Sequence, residues 1–126
     1  MNLREYRAAA SLLAARHKTP ESALKDRVMA ALIRLPGIDV IRMNTGQANH
    51  GGRRVRYGYP GMADLFVRVR GPKCQAHGVL WIELKAGTKQ SDAQIAFQQQ
   101  AEKWGDRYIL AKSVDDVLNA LEVIHA

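Results

Sequence analysis

The chain has 126 residues, 47% hydrophobic and 25% charged, an ordinary globular composition that suits one compact domain. No apolar run approaches the ~20 residues that span a bilayer, and a single cysteine, Cys74, excludes an intrachain disulfide framework and argues against a cysteine-based zinc site. Nineteen Lys and Arg against 12 Asp and Glu leave a net charge of +7, which favours an anionic partner, nucleic acid foremost, in a reducing cytoplasm.

Residues 2–17 read as an amphipathic helix with interspersed charges; LLAA is too short for a signal-peptide core. HKTP breaks it, and Thr19 with Pro20 opens a second helix over ESALKDRVMAALIRL, ended by Pro36-Gly37. Its stripe of Leu24, Val28, Ala31, Leu32 and Leu35 places Glu21 on the same inward face. IDVIRMN (38–44) reads as a strand, and TGQANHGGRRVRYGYPG (45–61) as a glycine-rich connection with a short ribbon at RRVRYGY. DLFVRVR (64–70) and VLWIELK (79–85) form an antiparallel hairpin with a long turn. SDAQIAFQQQAEKW (91–104) is a serine-capped helix, RYILA (107–111) a strand, and SVDDVLNALEVIHA (113–126) a final helix. The order gives a mixed sheet with helices on its faces.

VLWIELK raises a question. A strand this apolar should be buried, yet Glu83 and Lys85 share one of its faces while Leu84 points the other way. Buried charges are costly unless paired or bound to a metal. If the hairpin pairs as drawn, Asp64 stands close to Glu83 and Lys85, and Glu21 approaches from the helix behind. Two or three carboxylates with a lysine at a sheet end suit a hard cation, Mg²⁺ or Mn²⁺. Such an ion polarises a phosphoryl oxygen and acidifies water, the needs of phosphodiester hydrolysis.

GYPGMAD followed by IELK resembles the PD-(D/E)XK nuclease signature, and more narrowly the VRR-NUC family of that superfamily. ES at 21–22, MNTG at 43–46, GMAD at 61–64, ELK at 83–85 and SDAQ at 91–94 carry the likeness, in order, from about Glu21 to the C-terminus. The ELK piece alone is common by chance. The resemblance implies a restriction-endonuclease-like core in one domain over 1–126, with residues 1–18 as an extra N-terminal helix outside the match. It implies metal-dependent DNA cleavage, with Asp64, Glu83 and the Leu84 backbone carbonyl holding Mg²⁺ or Mn²⁺. Lys85 would serve the nucleophilic water, and Glu21 and Gln94 would complete the site. Short stand-alone members look like phage or bacterial enzymes that cut four-way (Holliday) junctions as homodimers. Two departures stand out: Ala63 replaces the family's usual proline, and Lys25 a common glutamine. Lys25 is expected to face away from the metal.

Gln94 shares a stripe with Phe97, Gln98 and Ala101 and so faces inward. Arg53, Arg54, Arg56 and Tyr57 on the glycine-hinged loop, with Asn44 at its base and Lys89 after the motif, would grip DNA. Arg68, Arg70 and Lys73 extend the positive surface. Trp81, Trp104, Met43 and Met62 read as packing residues. The four histidines are scattered without ligand spacing.

Plainer readings compete. Glu83 and Lys85 can be an ion pair at a strand end, Glu21 a first-turn acid on the helix dipole, and the arginine loop a solvated surface. The alternative to a nuclease is a basic nucleic-acid-binding module or accessory subunit. A binding module, however, has no need of buried carboxylates. A restriction-type nuclease would want a specificity domain. A homodimer follows from junction symmetry, with Tyr6, Leu12 and Leu13 as candidate interface residues.

Overall fold

A computed structural model describes residues 19–43, 46–70 and 76–125. The helix expected over 2–17, with Tyr6, Leu12 and Leu13, lies outside the described residues, as do Asn44, Lys73 and Cys74. The elements in chain order are α1 (Pro20–Leu32), β1 (Ile38–Arg42), β2 (Gly46–His50), β3 (Arg53–Tyr57), β4 (Leu65–Arg70), β5 (Ala76–Leu84), α2 (Asp92–Lys103), β6 (Arg107–Ala111) and α3 (Val114–His125). Four strands form one mixed sheet in the order β1-β4-β5-β6, flanked by the three helices. β1, β4 and β5 pair antiparallel, and β5 with β6 parallel. A parallel pair needs a crossover, and α2 supplies it. Among the described residues no helix is long and apolar enough to cross a membrane.

α1 begins where its chemistry dictates. Thr19 is extended (φ −130°), its hydroxyl accepts the Ser22 N–H at 3.2 Å, and Pro20 takes the first turn. The helix ends at Leu32, short of the expected Leu35. Arg34 and Leu35 donate to carbonyls three residues back, which tightens the last turn, and Pro36 disfavours helix at Leu35.

The sheet has two unlike faces. Leu65, Val67 and Val69 of β4 and Leu80, Ile82 and Leu84 of β5 alternate onto the face that packs with Leu24, Val28 and Leu32 of α1 and Val117 and Leu121 of α3. Each leucine fully buried there contributes about 1.5–3 kcal/mol. The opposite face carries Phe66, Trp81 and Tyr108 against Phe97 of α2, with edge-on rings 4.7 Å apart for Phe66–Trp81 and 5.1 Å for Trp81–Phe97.

Three expectations are corrected. The connection after β1 is a two-stranded hairpin, β2–β3, and not a loop with a short ribbon. Gly51 (φ 56°) and Gly52 (φ 79°) make its two-residue turn, the left-handed pair that matches strand twist. GQANH lacks the β-branched residues that announce a strand. β5 starts at Ala76, inside the expected turn, after a bulge at Val69/Arg70. Trp104 caps α2 at its C-terminus and is 76% exposed, so it is not a core residue.

Candidate active site

β4 and β5 bring the acids together through their register. Leu65 lies opposite Ile82, so one step further Asp64 faces Glu83. Trp81, Glu83 and Lys85 project to the aromatic face, and Ile82 and Leu84 to the aliphatic one. Asp64 is held from three sides. Its Oδ2 accepts the Leu84 N–H at 2.8 Å, its Oδ1 lies 2.9 Å from Lys25 Nζ, and its carbonyl accepts the Met43 N–H at 2.9 Å.

Glu83 is 2% exposed. Its Oε1 accepts from Gln94 Nε2 at 2.8 Å and lies 3.7 Å from Lys85 Nζ. Its Oε2 is buried with no hydrogen-bond partner. Such an orphaned acceptor normally costs about 1–3 kcal/mol. Burial first, then the charge of Asp64, push the Glu83 carboxyl from an ordinary 4.5 up to about 8; Glu21 adds to the rise and Lys85 opposes it. Lys85 is buried too; its N–H donates to the Ala111 carbonyl at 3.0 Å, which pins it to β6 just after β5 ends. Its ammonium stands 3.9 Å from Glu21 Oε1, which also accepts from the Thr88 hydroxyl.

Gln94 owes its aim to the start of α2. Ser91 caps the helix through the Gln94 N–H, and the Gln94 side-chain oxygen accepts the Ser91 N–H at 2.8 Å. With the oxygen so engaged, the NH₂ group must point at Glu83. Gly61 locks the preceding loop onto this turn. It has φ 74°, and a β-carbon there would lie 2.1 Å from the Ala93 carbonyl oxygen, so no other residue fits.

The structure therefore brings Asp64, Glu83, Lys85 and Gln94 into one cluster, with Leu84 between them in the chain and Glu21 at the rim beside Lys85. Among the described residues, no three His, Cys, Asp or Glu side chains gather closely enough to form a metal-holding group; Glu21 contacts Lys85 at 3.9 Å and acts on Glu83 by its charge. Arg53 and Arg54 are exposed on β3, and Lys89 is exposed after the site. The side chains of Arg56 and Tyr57 lie outside the described residues. Arg68 and Arg70 are exposed, Arg68 paired with Asp39.

Lys25 overturns its expectation: it points at Asp64, not away. The signal was available, because Lys25 lies one helical turn after Glu21 and must share its face. Sequence reasoning also missed a polar row behind Glu83, where Gln90 Nε2 donates to Tyr108 Oη at 3.1 Å and to Gln98 Oε1 at 3.0 Å. Burial, then Glu83, push the Tyr108 phenol up to about 12, so it stays protonated. No protein-family model, curated protein or solved structure matches this chain.

Proposed function

We propose that the protein is a Mg²⁺- or Mn²⁺-dependent DNA endonuclease with a restriction-endonuclease-like core, acting in the cytoplasm on branched DNA. The observation that carries this reading is Glu83, a buried carboxylate with one oxygen unpartnered, set against Asp64. A purely structural ion pair would satisfy both oxygens; a hard cation would take the vacant lone pairs. Asp64, Glu83 and the Leu84 carbonyl would hold such an ion, with Glu21 at the rim, once Lys25 releases its Asp64 oxygen. The chemistry it supplies when bound is phosphoryl polarisation and a lowered water pKa.

The chain's own groups do the rest. Gln94 fixes the rotation of Glu83 through its Oε1. Lys85, held between Glu83 and Glu21, orients the attacking water and offsets charge gathering on the phosphate. Lys25 neutralises one Asp64 oxygen and, once displaced from it, is a phosphate ligand within reach of the same site. Arg53, Arg54, Arg56, Tyr57, Asn44 and Lys89 supply backbone contacts that carry no sequence information. Recognition then rests on DNA shape, and two copies acting together would place two cuts on a four-way junction.

The test is a cleavage panel of duplex, single-strand, flap and four-way junction DNA with Mg²⁺, Mn²⁺ or EDTA, alongside Asp64→Ala and Lys85→Ala. Metal-dependent cutting that both variants lose is the expected result; binding without cutting under either metal would overturn it. One observation favours that second reading, a basic binding module or accessory subunit: Lys25 already occupies Asp64 at 2.9 Å, as a silenced site would require.

A further inference from the structure

Both tryptophans of the chain, Trp81 and Trp104, line one cavity of about 320 Å³. Trp81 stands two residues before Glu83 on the same face of β5 and forms the floor. Phe97 of α2 stands edge-on to Trp81 (87°) and to Tyr59 (60°, centroids 5.9 Å apart). Trp104 and Tyr59 form the lips, 76% and 59% exposed. Gln100 and Asp106 add polar groups to the lining, Asp106 accepting the Trp81 indole N–H at 3.1 Å. A second hollow, sharing Tyr59, Phe97 and Gln100, continues past Pro60 to Ala93, the neighbour of Gln94. The two hollows together follow one side of α2 from Ala93 near its start to Trp104 at its end, and Trp81 ties them to the β5 face that carries Glu83. Its shape is fixed: Gly61, two residues after Tyr59, is wedged against the Ala93 backbone.

We propose that this groove binds an unpaired nucleobase of a DNA strand, stacked on Trp104 and Tyr59 beside the acid cluster. The inference takes from the nuclease reading only that DNA is the polymer bound. A base is flat, aromatic and polar at its edge. It needs a π-face to stack on and groups to pair with that edge, and the groove offers the indole and phenol rings with the Gln100 amide and the Asp106 carboxylate. An apolar peptide seated there would bury the Gln100 amide without a partner, which is costly. The net charge of +7 and the exposed Arg53 and Arg54, on the strand that leads into Tyr59, attract the phosphates of the same strand. Bases in an intact duplex are stacked on both sides and cannot enter. An unpaired base at a branch or flap can, so the groove would select open DNA and place its backbone near Glu83.

The tryptophans make the test direct, because the chain's only indoles both face the ligand. The full chain in EDTA is titrated with a short oligothymidylate and, separately, with a blunt duplex of equal length, while tryptophan emission is followed. Quenching by the single strand, with about tenfold weaker binding for Trp104→Ala, near-normal binding for Trp104→Phe and little change on duplex, is expected. Unaltered emission, or equal single-strand affinity for Trp104→Ala of verified fold, overturns the proposal. A DNA-free dimer that Trp104→Ala dissolves in sedimentation would assign the groove to a second copy and overturn it too. No metal or cutting is involved, so the two readings fail separately. Quenching without any cleavage in the panel leaves the groove and removes the nuclease; cleavage without quenching does the reverse.

Discussion

Two acid–base pairs stand on the same sheet under opposite conditions. Asp39 and Arg68 face each other across β1 and β4, their side chains 40% and 54% exposed. Glu83 and Lys85 sit on β5 and just past its end, with side chains 3% and 9% exposed and 3.7 Å between Oε1 and Nζ. The first pair keeps its water and is worth at most about 1 kcal/mol. The second has given up most of its water for one hydrogen bond on Glu83 and a separation too long for a tight contact. Replacing such a pair with apolar side chains is often neutral or stabilising. Fold stability alone therefore accounts for the outer pair better than for the inner one, which is the pair the proposed function uses.

The contrast can be broken at several points. The largest effect belongs to the inner pair: Glu83→Gln should lower metal-dependent cleavage at least about a hundredfold, while Arg68→Ala leaves it within about twofold, as initial rates on a junction substrate would show. Next, the inner site should carry a pH signature that the outer one lacks. Glu83 holds its proton to about 8 when folded and to 4.5 when not. The folded chain binds the extra proton between these values, so stability falls as pH rises through that window. Thermal melts in EDTA should therefore show wild type losing ground to Glu83→Gln between pH 4.5 and about pH 8; parallel curves would sink the idea.

Gln94→Ala removes both the capping box and the one donor to Glu83, and should cost about 1–2 kcal/mol in denaturant unfolding. Lys25→Gln frees an Asp64 oxygen, and calorimetric titration should find Mn²⁺ bound a few-fold more tightly. Unchanged affinity would mean that Lys25 and the metal do not compete. Arg68→Ala closes the series, with a midpoint shift below about 1 kcal/mol.

The acid cluster was legible in the sequence because strand alternation is rigid: once Asp64 opens one strand and Glu83 ends its partner, their meeting follows. Gln94 followed from helical spacing on a capped helix. Lys25 was expected to face away from the site, although its place one helical turn after Glu21 puts it on the same face, where it reaches Asp64. Trp104 was misread for a different reason. The stripe through Phe97 and Ala101 predicts burial at 104, but Gly105 and the turn into β6 stop the helix there and leave the indole on the rim. β2 was illegible because GQANH has no strand propensity of its own and is a strand only through its pairing with β3. The polar row of Gln90, Gln98 and Tyr108 depends on β6 lying parallel beside β5, which no local pattern announces.

That parallel pairing also predicts an order of events as the chain folds. Asp64 and Glu83 belong to a hairpin whose strands are sequence neighbours, so their encounter closes a short loop early and at small entropic cost. Gln94 and the anchor for Lys85 arrive later, when β6 has swung back over α2 and docked against β5. An intermediate with only the hairpin would hold its acids unoriented and its lysine loose. On the proposed reading, activity would wait for that docking step.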